Sequence, residues 1–256
     1  MKQLFIIFAC LFCLSFAQAQ SKDPEIGIVE HLEDTIPLNL TFIDENNQKV
    51  VLKDMIDKPT VFAFVYFNCP GICSPLQEGM RELFERSDLE MGKDYQVITI
   101  SFDYSDTPDK AAIKKKNFVS KFSEKSKKAW HYLTGDSATI AEITNKAGFK
   151  YKKTGLDFIH AGVLIMVSPQ GKITRYLYGL KFLPFDFKMA VIESQQGLSR
   201  PAINKVLDFC FSYDPQGKRY ALEVTKIIGS IILFVLIIFF GFLIFRRKKM
   251  KPVQQQ

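Results

Sequence analysis

The chain has 256 residues, 47% of them hydrophobic, and a formal net charge of +7 at pH 7. Six of the seven net positive charges lie at the termini: Lys2 carries one and the last eleven residues carry five, and neither terminal segment contains an acid. The remainder is therefore close to +1. A net charge this small does not indicate the strongly basic surface that is typical of nucleic-acid-binding proteins. We therefore predict no nucleic-acid partner.

Both ends of the chain resemble targeting segments. Residues 1–19 have one lysine, an apolar run and a small-x-small ending, Ala-Gln-Ala, which predicts a cleaved signal peptide. Residues 227–245 are uncharged and mostly apolar, long enough for a transmembrane helix. The basic segment 246–256 follows, and the positive-inside tendency places it in the cytoplasm. We therefore predict a single-pass protein of the cytoplasmic membrane, with residues 20–226 on the periplasmic side.

The exported part opens with a leader and a small hairpin. We assign residues 20–34 to the leader and expect the hairpin within residues 36–55, turning at Asn46 and Asn47, because asparagine suits tight hairpin turns. The next segment, 60–67, is a continuous β-branched and aromatic run. Such a run predicts a strand buried in the centre of a sheet.

A helix is predicted directly after that strand, over residues 74–87. Ser74 has the residue type of an N-cap, Pro75 suits the first helical position, and Gln77 lies at capping-box distance from Ser74. This arrangement places the segment Cys69–Cys73 at the junction of the strand and the helix.

The rest of the exported part alternates strands and helices. We expect strands over residues 95–102, 130–135, 160–168 and 173–179. We expect helices over residues 106–122, 137–149 and 183–196. The pattern predicts an α/β fold of the thioredoxin-like class, with a central mixed sheet flanked by helices, over residues 35–200. Residues 201–226 are then a membrane-proximal segment leading to the transmembrane helix.

The number of cysteines favours a redox or metal-binding role over a structural disulfide framework. Cys10 and Cys13 leave with the signal peptide, so the mature chain keeps Cys69, Cys73 and Cys210. Three thiols are too few for a disulfide scaffold, and their number is odd. For Cys210, which lies about seventeen residues before the predicted membrane helix, we predict a buried apolar role, with a membrane-proximal thiol as the alternative.

The pair Cys69 and Cys73 could exchange electrons, bind a metal or close a structural disulfide, and the residues alone leave all three open. Three residues separate the cysteines, one more than in thioredoxin-type redox motifs. The helix that follows is expected to lower the pKa of Cys73. Thiolates bind soft metals such as zinc and Cu(I). Structural zinc needs four protein ligands in a tetrahedral arrangement, whereas Cu(I) binds with the smaller number of ligands that this chain provides.

Three histidines are candidates for a third ligand. His31 lies in the leader, where we expect it to be exposed to solvent. His131 alternates with aromatic residues in a short strand, which is typical of a packed or edge position. His160 opens a long apolar strand at the sheet end expected to carry the cysteine loop, so either a ligand or a hydrogen-bonded histidine at a strand start fits it.

Three stretches of the sequence together resemble the Sco/SenC family. They are VFAFVYFNCPGICSP, SFDYSDTPDK and FIHAGVLIMVSPQGKITRYLYG, and the resemblance extends over about residues 35–200. Sco/SenC proteins are thioredoxin-like copper chaperones of cytochrome c oxidase assembly, with a C-P-x-x-C pair and one distal histidine. The segment FCFSYDPQGKRY before the membrane run also resembles a bacterial branch with a C-terminal anchor.

The resemblance implies a copper site made of Cys69, Cys73 and His160, with Cu(I) favoured and Cu(II) as the alternative state. It implies delivery of copper to the binuclear copper centre of cytochrome c oxidase, and so a metallochaperone rather than an enzyme. The implied partners are the copper-centre subunit of the oxidase, other copper carriers and thiol reductants.

The alternative function is that of a membrane-tethered thiol–disulfide oxidoreductase. Thioredoxin-like reductases carry a cis-proline before the strand that faces the cysteines, whereas this chain has Ile159 there and no proline between Pro108 and Pro169. Many family members also have Asp between the cysteines, where this chain has Gly71. The missing carboxylate predicts weaker copper binding or a stronger preference for Cu(I).

Two acids precede the predicted helix that starts near Thr107 and Pro108. We predict that Asp103 and Asp106 cap this helix rather than bind a metal, because Asp is a favoured residue at helix N-termini.

Overall fold

The computed structural model describes residues 25–155, 157–201, 211–214, 219–222, 232–233, 235–236 and 238–241. The chain divides into two compact units between Arg200 and Pro201. Within the described ranges no helix is both long enough and apolar enough to cross a membrane. The predicted signal peptide, Cys210 and much of the predicted transmembrane helix lie outside the described residues.

The strands are β1 (Gly27–Ile28), β2 (Thr41–Ile43), β3 (Lys49–Val51), β4 (Thr60–Val65), β5 (Gln96–Ser101), β6 (Trp130–Leu133), β7 (Phe149–Lys150), β8 (Lys152–Thr154), β9 (Asp157–Ile159), β10 (Val163–Val167), β11 (Ile173–Tyr178), β12 (Phe211–Asp214) and β13 (Arg219–Leu222). The helices are α1 (Leu52–Met55), α2 (Cys73–Arg86), α3 (Pro108–Val119), α4 (Glu124–Lys128), α5 (Ser137–Lys146) and α6 (Pro184–Gln195).

A five-stranded mixed sheet in the order β11-β10-β4-β5-β6 forms the centre of the first unit. Strands β4, β5 and β6 are parallel, while β10 runs antiparallel to both β4 and β11. All residues of β4, β5 and β10 are buried, as expected for the continuous apolar runs in the sequence. With its helices this sheet has the predicted thioredoxin-like α/β architecture.

Helix α2 follows β4 but begins one residue earlier than predicted. Its N-cap is Ile72, which makes no side-chain capping bond, so the predicted cap at Ser74 is wrong. Ser74 instead lies inside the first turn, and Pro75 is tolerated there because the amides of a first turn have no partner within the helix. At Gly79 a Cβ atom would lie 2.0 Å from the carbonyl oxygen of Leu180, so this helix packs closely on the segment after β11.

Helix α3 begins at Pro108, where the sequence predicts, but its N-terminus is capped differently from the prediction. Its N-cap is Thr107, which forms no side-chain capping bond. Asp103 accepts a hydrogen bond from the amide of Ser105 in the preceding loop. Asp106 turns inwards and accepts one from the amide of Phe67. The predicted capping role of these two acids is therefore wrong, because each carboxylate has a nearer donor outside the helix.

Several short elements escaped prediction. Strand β1 lies in the predicted leader and pairs with β7, and the hairpin of β8 and β9 immediately precedes His160. Strand β10 starts at Val163, three residues after the predicted start at His160. The hairpin of β2 and β3 turns where predicted, with Asn47 at a φ of 59°.

The last residues of the first unit return to the start of β11. The amide of Arg200 donates a hydrogen bond to the carbonyl of Thr174. Beyond this point, in the second unit, β12 and β13 pair as an antiparallel hairpin with Phe211 opposite Leu222.

Candidate metal centre

The candidate metal centre lies at the end of the central sheet where β4 finishes and β10 starts. Cys69 and Cys73 follow the end of β4, and His160 precedes the start of β10, the antiparallel neighbour of β4. In an antiparallel pair the end of one strand lies beside the beginning of the other. The sheet topology therefore brings His160 close to Cys73, which lies 87 residues earlier in the chain, and to the neighbouring Cys69.

The three candidate ligand atoms lie close together. The Sγ of Cys73 is 3.3 Å from the Nε2 of His160, and the two sulfurs and Nε2 all lie within 4.8 Å of one another. Cys73 is fully buried and His160 is 9% exposed, whereas Cys69 is half-buried. Cys69 is therefore the least enclosed residue of the three.

The sulfur of Cys69 lies among hydrogen-bond donors. The amide of Gly71 is 3.3 Å from it and that of Cys73 is 3.5 Å away. Hydrogen bonding from the Cys73 side chain, followed by His160 and the Cys73 amide, holds the pKa of the Cys69 thiol well below its usual range. Cys69 is therefore the thiolate of the metal-free pair, stabilised beside the start of α2.

Cys73 behaves in the opposite way. Burial, with a further contribution from the neighbouring Cys69, raises the pKa of the Cys73 thiol far above its usual range. The expectation that the helix start would lower the pKa of Cys73 is therefore wrong, because loss of solvent outweighs the helix dipole at this buried position. The stabilising amides point at Cys69 instead.

His160 presents its Nε2 atom to the cysteines. Its Nδ1 lies 3.0 Å from the carbonyl oxygen of Ala161. A carbonyl only accepts hydrogen bonds, so Nδ1 carries a proton, and Nε2 is the ring nitrogen that faces the cysteines. A backbone carbonyl that fixes the tautomer and the ring orientation in this way is typical of metal-binding histidines.

Aromatic rings surround the imidazole of His160. The ring centroid of Phe102 is 5.0 Å from that of His160, Phe149 is 5.9 Å away and Tyr66 is 6.1 Å away. None of these three aromatic residues is among the site residues predicted from the sequence. The sequence could have indicated that Tyr66 and Phe102 lie near the site, because each follows directly after a strand that ends there.

The remaining candidate residues lie elsewhere. His31 is half-buried rather than exposed: its amide donates to the hydroxyl of Tyr176, and its Nδ1 contacts the carbonyl of Lys146. His131 lies on the edge strand β6, where burial lowers its pKa. Cys210 falls outside the described residues.

The donor set fits a soft ion with few ligands. Over residues 25–155 and 157–201, Cys69, Cys73 and His160 form the one group of three His, Cys, Asp or Glu side chains close enough to hold an ion. Ligand atoms about 2.0–2.3 Å from one ion are at most about 4.6 Å apart, so small shifts suffice. Two sulfurs and one imidazole suit copper, and they leave tetrahedral zinc short of a ligand.

Comparison with known proteins gives a family match. The SCO1/SenC family model matches residues 31–184, more than half of the chain. A curated relative, the SCO1 protein homolog of Bacillus subtilis, is 26% identical over 193 residues, which cover 73% of this chain and 93% of the relative.

Solved structures share the fold. Arabidopsis thaliana ScoI with copper bound is 21% identical, with a TM-score of 0.51 over 61% of this chain and 96% of that one. BsSco, a member of the Sco family of cytochrome c oxidase assembly proteins, is 22% identical, with a TM-score of 0.50 over 66% of this chain and 96% of that one.

Proposed function

This chain belongs to the SCO1/SenC family, and we propose that it binds copper and delivers it to the binuclear copper centre of cytochrome c oxidase during assembly. Cys69, Cys73 and His160 are the proposed ligands. The proposal rests on one observation: the three ligand atoms of these residues lie within 4.8 Å of one another, at the end of β4 and the start of β10. Cu(I) is the favoured state, because two thiolates and one imidazole satisfy this soft ion.

The burial of the ligands supports a route for transfer. Cys69 is the half-buried ligand, while Cys73 and His160 are closed off from solvent. An incoming thiolate of the acceptor would therefore bind the ion beside Cys69 and displace its sulfur first. Exchange of one metal–sulfur bond for another leaves Cu(I) unoxidised, so this transfer needs neither an oxidant nor a reductant.

The proposed acceptor is the copper-centre subunit of the oxidase. Support comes from the family match and from the relative BsSco, which belongs to the Sco family of cytochrome c oxidase assembly proteins. Other copper carriers and thiol reductants are the remaining proposed partners, since the ligand cysteines must be loaded with copper and kept reduced.

The proposed location follows from the sequence of the termini. Residues 1–19 would direct export, and residues 227–245 would anchor the chain in the cytoplasmic membrane. The metal centre would then face the periplasm, and the basic tail at 246–256 would face the cytoplasm.

The reduced protein is expected to bind one equivalent of Cu(I) per chain. Titration against a chromophoric Cu(I) chelator under anaerobic conditions measures the stoichiometry and the affinity together. The reason for a single equivalent is that the described residues contain one group of three candidate ligands. Failure of the reduced protein to compete with the chelator, or uptake of two or more equivalents, would contradict the proposed site.

A specific observation favours thiol–disulfide exchange as the second candidate. The pair combines a half-buried thiolate, Cys69, with a fully buried thiol, Cys73. Cys69 could attack a disulfide of a partner, forming a mixed disulfide and releasing one partner thiolate. Cys73 would then displace the second thiolate, leaving the pair oxidised and the partner reduced by two electrons.

We expect turnover of insulin or scrambled ribonuclease to be slow compared with that of a thioredoxin. Ile159 occupies the place of the cis-proline that thioredoxin-like reductases use beside their cysteines. The assay compares initial rates at equal concentrations of this protein and a thioredoxin with the same reductant. Rates of similar size would favour the oxidoreductase function over copper delivery.

A further inference from the structure

Asp106 is a buried carboxylate with three hydrogen-bond donors around it. Its side chain has no exposed surface. Its Oδ2 accepts from the amide of Phe67 and from the hydroxyl of Ser101, both at 2.7 Å. Its Oδ1 lies 3.0 Å from the Nζ of Lys110. Burying a carboxylate costs free energy unless hydrogen-bond donors compensate it. The buried carboxylate of Asp106 therefore depends on these three donors.

The bond to Phe67 lies where regular strand pairing stops. In the parallel pair of β4 and β5, Val65 is opposite Ser101, and the amide of Phe102 makes a further bond to the carbonyl of Val65. Phe67 lies two residues past the end of β4, and it is buried. Without Asp106 its amide would be a buried donor in need of a partner.

Phe67 is also the second residue before Cys69. The amide of Cys69 lies 3.4 Å from the carbonyl of Tyr66, so the backbone turns sharply between these residues. The anchored amide of Phe67 lies inside that turn. Its position therefore bears on where the Cys69 sulfur lies relative to Cys73 and His160.

We propose that Asp106 is a positioning residue of the metal centre: by binding the Phe67 amide it holds the turn that presents the Cys69 sulfur to Cys73 and His160. The inference deepens the proposed function and rests on it. Asp106 is not among the candidate ligands, so it acts through the backbone of the loop. The hydrogen bond rather than the charge of Asp106 carries the effect, because the Phe67 amide needs only an acceptor.

Three substitutions separate the hydrogen bond from the charge. Asp106→Ala removes both. Asp106→Asn keeps a carbonyl oxygen that can accept from Phe67 and Ser101 but loses the ion pair with Lys110. Asp106→Glu keeps the charge but moves the carboxylate by one methylene, away from the Phe67 amide. Asp103→Asn is the matched control, because Asp103 lies in the same loop and its side-chain Oδ1 accepts from the amide of Ser105 rather than from that of Phe67.

We expect Asp106→Ala and Asp106→Glu to lower the Cu(I) affinity about 10–100-fold, the usual range for losing support of a metal ligand. Asp106→Asn and Asp103→Asn should stay within about threefold of the parent, which corresponds to a loss of under 1 kcal/mol. The measurement is competition with a Cu(I) chelator, and far-ultraviolet circular dichroism establishes that each variant is folded.

A copper-free readout accompanies the titration. Alkylation of Cys69 by iodoacetamide, followed by mass spectrometry of the labelled peptide, should be slower in the alanine and glutamate variants. The reason is that the displaced sulfur loses the amides of Gly71 and Cys73 that favour its thiolate. A residue with a merely structural role would lower the melting temperature and leave this rate unchanged in the folded protein.

Each outcome decides the proposal. Parent-like affinity and alkylation in a folded Asp106→Ala variant would overturn it, as would an asparagine variant as weak as the glutamate variant. If the alanine variant does not fold, the comparison of asparagine with glutamate decides, and loss of folding in all three variants would make Asp106 a folding residue and reject the proposal. If the parent itself binds no Cu(I), the proposed function fails, and the alkylation rates still test Asp106.

Discussion

Replacing Cys69 or Cys73 with serine is expected to lower the Cu(I) affinity of the reduced protein by about 1,000-fold, or about 4 kcal/mol. A serine hydroxyl is a hard, neutral donor at neutral pH, whereas Cu(I) selects soft thiolates. Each variant would leave the ion with one sulfur and the imidazole of His160. The measurement is anaerobic competition with a Cu(I) chelator, at a protein concentration where the parent holds one equivalent.

The matched control is Cys210→Ser, which removes the third cysteine of residues 20–256. On the prediction that Cys210 has a buried apolar role, this variant should keep the copper stoichiometry and affinity of the parent. Retention of full copper binding by both the Cys69 and Cys73 variants would show that the site lies elsewhere. Loss of binding in the Cys210 variant alone would move the site to the membrane-proximal segment.

Replacing His160 with alanine is expected to weaken the binding of Cu(I) and to abolish the stable binding of Cu(II). Cu(I) should still bind to the two thiolates, with an affinity lower by about 10–100-fold. Stable Cu(II) binding should be lost, because imidazole is a preferred ligand of copper and the remaining sulfurs are readily oxidised by Cu(II). Absorption spectroscopy of the Cu(II)-loaded protein follows this loss through the disappearance of sulfur-to-copper charge-transfer bands.

His131→Ala is the control for the loss of a histidine. His131 lies on the edge strand β6, and its neighbours include Glu45 and Lys115 rather than the cysteines. We expect this variant to give the Cu(II) spectrum of the parent. An unchanged spectrum in the His160 variant would instead show that Nε2 of His160 is not a ligand.

The sequence predicted the central elements well because their signals are local. The apolar runs of β4, β5 and β10 have the length and composition of buried strands, and all three are buried in the structure. Cys69 and Cys73 could be placed at the junction of a strand and a helix for the same reason. His160 was selected with the help of the family resemblance, which supplied a contact between residues far apart in the chain.

What the sequence could not predict depends on contacts between distant residues. The amide of Phe67, 39 residues away, draws Asp106 from the predicted capping role. The assignment of the low pKa to Cys69 rather than Cys73 depends on burial, which the spacing of the pair does not reveal. The leader strand β1 was missed because two residues carry too little pattern, and their strand geometry comes from pairing with β7.

The hairpin of β12 and β13 bears on the length of chain available between residues 201 and 226. If residues 227–245 anchor the chain, the tether comprises residues 201–226, which would reach about 90 Å if fully extended. Paired strands return the chain nearly to its starting point, since Phe211 lies opposite Leu222. The hairpin thus removes residues 211–222 from the tether. The remaining fourteen residues reach about 50 Å at most. Copper delivery would be confined to acceptors within that radius, at a correspondingly higher effective concentration.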